Sequence, residues 1–243
     1  MGKVVAIGGG RIGRETGAID REIIALTGLK RPRALFVPTA SRDNVGYGQR
    51  FARVYGRLGC RPDVLNLLGE PPSRRDIRER IARAGIIYVG GGNTLLMMRR
   101  WKFLGVDIAL RKAHRRGAVL CGTSAGAICW FDNGHSDSMR GYGHDPWNYI
   151  RVAGLGLIKG TVCPHFHQED REKEFLSMIA RKGGFGIALD DRCALEVVDG
   201  RYRVLAAGRG ARAYTVRRRR GRLAVIEIAR TKSFRPLAEI YAG

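Results

Sequence analysis

Ser124 lies in Gly122-Thr123-Ser124-Ala125-Gly126, a G-x-S-x-G pentapeptide. The apolar run Ala118-Val119-Leu120-Cys121 precedes it, and the helix-compatible residues Ile128, Cys129 and Trp130 follow. A buried strand, a tight turn and a helix together form a nucleophile elbow. In that setting the serine is held in a strained conformation at the carboxyl edge of a sheet. Small residues on either side let neighbouring elements approach without a Cβ clash. The first N–H groups of the next helix are free to hold an oxyanion. The chemistry this implies is acyl transfer through an activated hydroxyl, which needs a base and an acid to orient it.

Five histidines compete for the role of base: His114, His135, His144, His165 and His167. His114 sits beside Arg115 and Arg116 in a basic helical stretch and reads as solvated. His165 follows the short strand Thr161-Val162-Cys163 and Pro164, so it falls at the carboxyl edge of the sheet, where open α/β folds carry their sites. It is the favoured base. His165 and His167 also form a His-x-His pair, but no further ligand set at useful spacing accompanies them, so neither a metal nor a cofactor is expected. Asp137, within Gly134-His135-Ser136-Asp137-Ser138, is the favoured acid, with Asp132, Asp145, Glu169 and Asp170 as competitors.

Gly90-Gly91-Gly92-Asn93 closes another apolar run, Ile86-Ile87-Tyr88-Val89. An N–H from Gly91 or Gly92 would pair with that of Ala125 as an oxyanion hole. Gly8-Gly9-Gly10-Arg11-Ile12-Gly13 satisfies G-x-G-x-x-G after the first strand. The second strand, however, ends Val37-Pro38-Thr39-Ala40-Ser41, without the acid a dinucleotide ribose requires, so nicotinamide binding is not expected.

The elements that must position these residues alternate between strand and helix patterns, which argues for a parallel sheet with crossover helices. Candidate strands are Lys3–Ile7, Ala34–Val37, Val64–Leu68, Ile86–Val89, Ala118–Cys121 and Thr161–Cys163. Ser73 with Asp76 reads as a capping pair for a helix with Ile77, Ile81 and Ala84 on one side. Phe175, Met178 and Ile179 mark a helix that stops near Gly183-Gly184. Residues 186–230 read as antiparallel strands added to the same sheet, and the whole chain, 1–243, as one α/β domain.

Composition sets the outer limits. Five cysteines without a C-x-x-C pair argue against a disulfide framework or a cysteine zinc cage. No apolar run is long enough to span a bilayer, so no membrane partner is expected. The N-terminus leads straight into a strand and leaves no room for a signal peptide, which makes a cytoplasmic location the expectation. The net charge of +22 raises nucleic-acid binding. Yet the arginines are spread along the chain, and the densest run, Arg217–Arg222, reads as the solvated tip of a hairpin. No specific nucleic-acid partner is expected.

Taken jointly, several segments resemble the peptidase E family of serine peptidases, which includes cyanophycinases. They are Gly8-Gly9-Gly10, Val37-Pro38-Thr39-Ala40-Ser41, Val89-Gly90-Gly91-Gly92-Asn93-Thr94, Gly122–Ala127, Ser136-Asp137-Ser138 and Cys163-Pro164-His165-Phe166. The resemblance spans about residues 3–195. It implies a flavodoxin-like α/β fold, akin to class I glutamine amidotransferases: a mostly parallel sheet, helices on both faces and C-terminal antiparallel strands. It further implies Ser124 as nucleophile, His165 as base, Asp137 as third member, Asn93 and Arg171 as substrate contacts, no metal, and a homodimer. The implied substrate is a short acidic peptide with an N-terminal aspartate, whose carboxylate Arg171 would grip. Ala127–Phe131, the His135–Trp147 loop and the C-terminal hairpin depart from the pattern and mark a divergent subgroup. Two other functions fit parts of the sequence: an α/β-hydrolase esterase, from G-x-S-x-G and the order Ser, Asp, His, and a non-catalytic binding protein on an amidotransferase-like scaffold.

Overall fold

The computed structural model describes residues 2–143, 147–168, 170–219 and 222–242. Short runs of Val, Ile, Leu and Phe alternate with helical segments to give β1 (Lys3–Ile7), α1 (Gly17–Ala25), β2 (Arg33–Val37), α2 (Val45–Arg57), β3 (Arg61–Val64), α3 (Arg74–Arg83), β4 (Ile86–Val89), α4 (Thr94–Leu104), α5 (Val106–Arg115), β5 (Val119–Thr123) and α6 (Ala125–Ile128). The chain continues with β6 (Phe131–Ser136), β7 (Ile150–Ala153), β8 (Ile158–Pro164), α7 (Arg171–Lys182), β9 (Phe185–Leu189), β10 (Cys193–Val198), β11 (Arg201–Ala206), β12 (Ala213–Arg219), β13 (Arg222–Glu227), β14 (Arg235–Pro236) and α8 (Ala238–Ala242).

The first sheet runs β14-β11-β10-β1-β5-β4-β2-β3. Its strands β1, β5, β4, β2 and β3 are mutually parallel, and β10, β11 and β14 extend it in antiparallel fashion. Successive strand side chains point to opposite faces. Val4, Ala6, Leu35, Val37, Ile87 and Val89 accordingly enter one core with Ile77 and Ile81 of α3, Trp101 of α4 and Leu110 of α5. Val5, Ile7, Ala34, Phe36, Ile86 and Tyr88 enter the opposite core with Ile19 and Ile23 of α1 and Phe51 and Tyr55 of α2. Phe51 stacks on Phe36 at 4.7 Å and on Tyr55 at 4.3 Å. Each such fully buried ring contributes roughly 1.5–3 kcal/mol. This is the flavodoxin-like α/β arrangement with helices on both faces.

A second sheet, β13-β12-β9-β8-β6-β7, carries a parallel centre of β6, β8 and β9. Its Val162, Ile187 and Leu189 join the first core, whereas Cys163, Ala188 and Val216 pack against Phe175 and Ile179 of α7. Two expectations are corrected here. The strands after residue 186 do not all extend one sheet: β10 and β11 do, but β12 and β13 pair in the second, where β9 lies parallel to β8. The third strand is Arg61–Val64 rather than Val64–Leu68. Beyond Leu65, whose N–H still reaches the Phe36 carbonyl, the Asp43 carboxylate accepts from the Leu67 and Leu68 N–H groups and ends the ladder.

The Ser73 cap forms as the spacing predicts: its hydroxyl accepts from the Asp76 N–H at 3.1 Å and donates to the Asp76 carboxylate at 2.6 Å. All five cysteines are free and buried. Among the described residues no helix is long and apolar enough to cross a membrane.

Candidate active site

Parallel strands deliver their carboxyl ends, and the loops that follow, to one edge of a sheet. At that edge β5 ends in Ser124, with φ 55° and ψ −112°, a conformation L-residues rarely adopt. The turn is locked from several sides. The Ser124 N–H donates to the Ile7 carbonyl at 3.1 Å, and its own carbonyl accepts from Ala127 and Ile128. A Cβ at Gly126 would fall 2.1 Å from the Val89 carbonyl oxygen, and one at Gly122 would fall 2.6 Å from the same oxygen. The glycines of the elbow are thus required by the approach of β4. Ala125 opens α6, so its N–H has no acceptor within that single helical turn. Gly91 is the neighbour of the serine across the edge: a Cβ there would stand 3.8 Å from Ser124 Oγ. Its N–H makes only a long, 3.5 Å contact with the Tyr47 hydroxyl.

His165 follows β8, also with positive φ, 54°. Its Nδ1 lies 2.5 Å from Asp191 Oδ1, and the Gln168 amide donates to the other oxygen of Asp191. A carboxylate on Nδ1 favours the tautomer that carries its proton there and leaves Nε2 with the lone pair. Asp191 arrives from the turn between β9 and β10, the crossing point of the two sheets. There the Arg192 N–H donates to the Gly9 carbonyl at 2.9 Å and Cys193 N–H to the Asp190 carbonyl at 3.2 Å. Gly9 is seated directly against this pair. A Cβ on it would lie 1.9 Å from Asp191 Oδ1 and 2.4 Å from His165 Nδ1. The triple glycine after β1, which read as a dinucleotide decoy, is where His165 and Asp191 pass. Beside them His167 Nδ1 contacts Asp190 Oδ1 at 2.6 Å, and the two His–Asp pairs line an open pocket of ≈ 360 Å³.

Asp137 is not the partner of His165. It lies just past β6 and forms an ion pair with Arg171, the first residue of α7. Arg171 is 7% exposed, and its guanidinium stands 5.1 Å over the Tyr149 ring. The acid and the arginine assigned to different tasks therefore form one unit, because α7 begins beside the end of β6. Asn93 also serves the structure. Its Oδ1 accepts from Leu96 N–H at 2.9 Å as the α4 cap, and its Nδ2 donates to the Ser138 carbonyl at 2.9 Å. Gly92, at φ 134°, is packed so that a Cβ would meet the Ala40 carbonyl oxygen at 2.2 Å. Contacts accordingly run from Ser124 to Gly91, through Asn93 to Ser138, and on to the Asp137–Arg171 pair.

The other sequence candidates fall elsewhere. His135 is fully buried in β6, stacked on Tyr149 at 4.2 Å, and desolvation followed by the nearby Arg171 charge pushes its pKa down to about 3. His114 lies on α5 near Gly2, with its pKa lowered by burial. Asp132 accepts from the Gly160 N–H at 2.9 Å, and Asp170 precedes α7 without a side-chain cap. His144, Asp145 and Glu169 lie outside the described residues. Among the described residues no group of three or more His, Cys, Asp or Glu side chains is arranged to hold a metal ion.

Asp191 lies far from both Ser124 and His165 in the chain, so local spacing does not single it out as the carboxylate that meets the imidazole. A signal was available: Asp190-Asp191 ends an apolar strand, Phe185–Leu189, just as His165 ends Ile158–Pro164.

Comparison with known proteins gives the family and the fold. The profile of Peptidase family S51 matches residues 4–205. The chain is 37% identical over 221 residues to the uncharacterized peptidase YgaJ of Bacillus subtilis (strain 168), covering 89% of this chain and 92% of that one. It is 27% identical over 213 residues to a cyanophycinase of Trichormus variabilis, covering 84% of this chain and 71% of the other. A crystal structure of a peptidase from an acI-B1 Actinobacterium superposes with a TM-score of 0.74 at 19% identity, over 97% of both chains.

Proposed function

Since the chain belongs to peptidase family S51, and is on that ground a peptidase, we propose that it hydrolyses short peptides through an acyl-enzyme on Ser124. Ser124 Oγ attacks the scissile carbonyl carbon as His165 Nε2 takes its proton. The N–H groups of Gly91 and Ala125 receive the oxyanion, the former exchanging a long contact to Tyr47 for a charged acceptor. Collapse of the tetrahedral intermediate breaks the C–N bond, and the proton on His165 passes to the leaving amine. Water, deprotonated by the same imidazole, then releases the acid and restores Ser124.

The observation that carries this proposal is the His165–Asp191 contact at 2.5 Å, formed against Gly9 at the strand edge that also bears the strained Ser124. In this proposal Asp191 takes the third place and holds the imidazole tautomer. Asp137 acts on Arg171 instead: it fixes one Nη of the guanidinium, whose remaining donors meet the acidic end of a substrate with an N-terminal aspartate. The link from Ser124 through Gly91, Asn93 and Ser138 to Asp137 sets the register between cleavage and recognition.

The test compares wild type with Ser124→Ala on aspartyl dipeptides and on their alanyl counterparts, beside labelling by a serine-directed fluorophosphonate. Loss of labelling and of aspartyl-dipeptide turnover in the variant is expected. Equal turnover by both proteins would remove Ser124 from the reaction. Turnover of esters but not peptides would favour an esterase.

A further inference from the structure

The loop after β1 has two ends with different surroundings. Gly9 faces His165 and Asp191, whereas Ile12, Gly13 and Arg14 turn toward α1 and α2. There they help to enclose a pocket of ≈ 440 Å³, a volume typical of small-molecule sites. Five arginines stand in its walls: Arg14 and Arg21 on one side, Arg50, Arg53 and Arg57 on the other. The last three are spaced i, i+3 and i+7 along α2 and so share one stripe of that helix. Ile12, Val54 and Leu58 supply an apolar floor, with Gly13 packed so closely on Val54 that a Cβ would fall 2.8 Å from it.

Acidic residues near this cluster are few: Glu15 feels Arg14 and Asp20 feels Arg21, but the hydrogen bonds of both carboxylates go elsewhere. Glu15 is taken by Arg11 at 2.8 Å, and Glu22 is paired with Arg203 at 2.5 Å. Asp20 is buried and accepts from the Gly13 N–H and from the Thr16 and Tyr55 hydroxyls. Among the described residues, none of the five guanidiniums makes a hydrogen bond or ion pair with a protein acceptor. Like charges at helical i, i+3 and i+4 spacing repel weakly, a small cost that a bound anion would relieve. Guanidinium forks match phosphate and carboxylate oxygens alike. Five of them around one compact pocket call for several negative charges within a few ångströms, which a chain of phosphates carries and a peptide carboxylate does not.

We propose that this pocket is an oligophosphate-binding site, separate from Ser124, that takes the anion either free or carried on a nucleoside whose base lies on Ile12, Val54 and Leu58. The site does not depend on the peptidase mechanism. Isothermal titration of the whole chain with inorganic tripolyphosphate and with ATP, at about 150 mM salt to screen diffuse attraction, tests it. Wild type is expected to bind with Kd of about 100 μM or tighter. Arg50→Gln/Arg53→Gln/Arg57→Gln should weaken binding by about tenfold or more, and Arg14→Gln/Arg21→Gln should do the same from the opposite wall. Gln retains helix propensity, and the loop-side pair keeps the test decisive if the α2 variant loses its fold. Arg31→Gln/Arg78→Gln/Arg209→Gln removes the same charge from scattered exposed positions and should change Kd less than about twofold. Tighter binding of ATP than of tripolyphosphate assigns the apolar floor to a base, and equal binding assigns the site to the phosphate chain alone. Equal losses in pocket and control variants, or wild-type Kd weaker than about 100 μM, would overturn the proposal.

Discussion

Replacing Asp191 by Asn removes the charge of the carboxylate that contacts the His165 imidazole. The change keeps the size of the side chain. A hydrogen bond to an ionised partner contributes about 1.5–3 kcal/mol, and at about 1.4 kcal/mol per decade its loss lowers a rate that depends on it by roughly 10–150-fold. A buried triad whose histidine is forced into the wrong tautomer loses about 10⁴-fold. Here His165 is 20% exposed and Asp191 31%, so water partly replaces the missing acceptor and the smaller figure applies. The expected fall is about 10²-fold in the second-order rate of fluorophosphonate labelling of Ser124, and a similar fall in kcat/KM on an aspartyl dipeptide. Labelling matters because it reports activation of the hydroxyl without depending on the substrate chosen. Asp137→Asn should leave labelling within about threefold while raising KM for the acidic substrate, since its charge acts on Arg171. The opposite pattern, with labelling lost in Asp137→Asn and kept in Asp191→Asn, would refute the pairing of His165 with Asp191 as the working one.

Three further outcomes are expected. Ser124→Gly should abolish labelling yet raise stability by about 1 kcal/mol, seen as a Tm increase of about 2–4 °C, because glycine occupies φ 55° without strain. Gly9→Ala should cut labelling by at least about tenfold with the fold intact by circular dichroism, since the new methyl would fall 1.9 Å from Asp191 Oδ1; unchanged labelling would mean the pair is not used. For His135, the folded pKa of about 3 lies below the ordinary 6.5, so the unfolded chain binds the extra proton between those values. Stability from its neutral, buried ring is therefore complete above about pH 6.5 and declines as pH falls toward 3, by up to a few kcal/mol. Urea denaturation across pH 7 to 4 should show a shallower decline in His135→Phe, which keeps the ring against Tyr149.

Local residue order determined a good deal of this protein. Short continuous apolar runs marked β1, β2, β4 and β5, the Ser73 cap and the stop at Gly183 marked helix ends, and G-x-S-x-G in a strand–turn–helix setting marked the elbow. Such features depend on contacts within a few residues, so they are written in the chain. The partner of His165 is not of that kind: Asp191 is 26 residues away and reaches it only because β9 pairs in parallel with β8 and the next turn crosses to the sheet of β1. Asp137 looked equally suitable as a polar loop acid, but the position of α7 beside the end of β6 gave it to Arg171. Gly9 likewise resembled part of a nucleotide loop until packing set it against an imidazole and a carboxylate. Strand pairing over long sequence separation decides which ionisable groups meet, and neither composition nor spacing encodes that pairing directly.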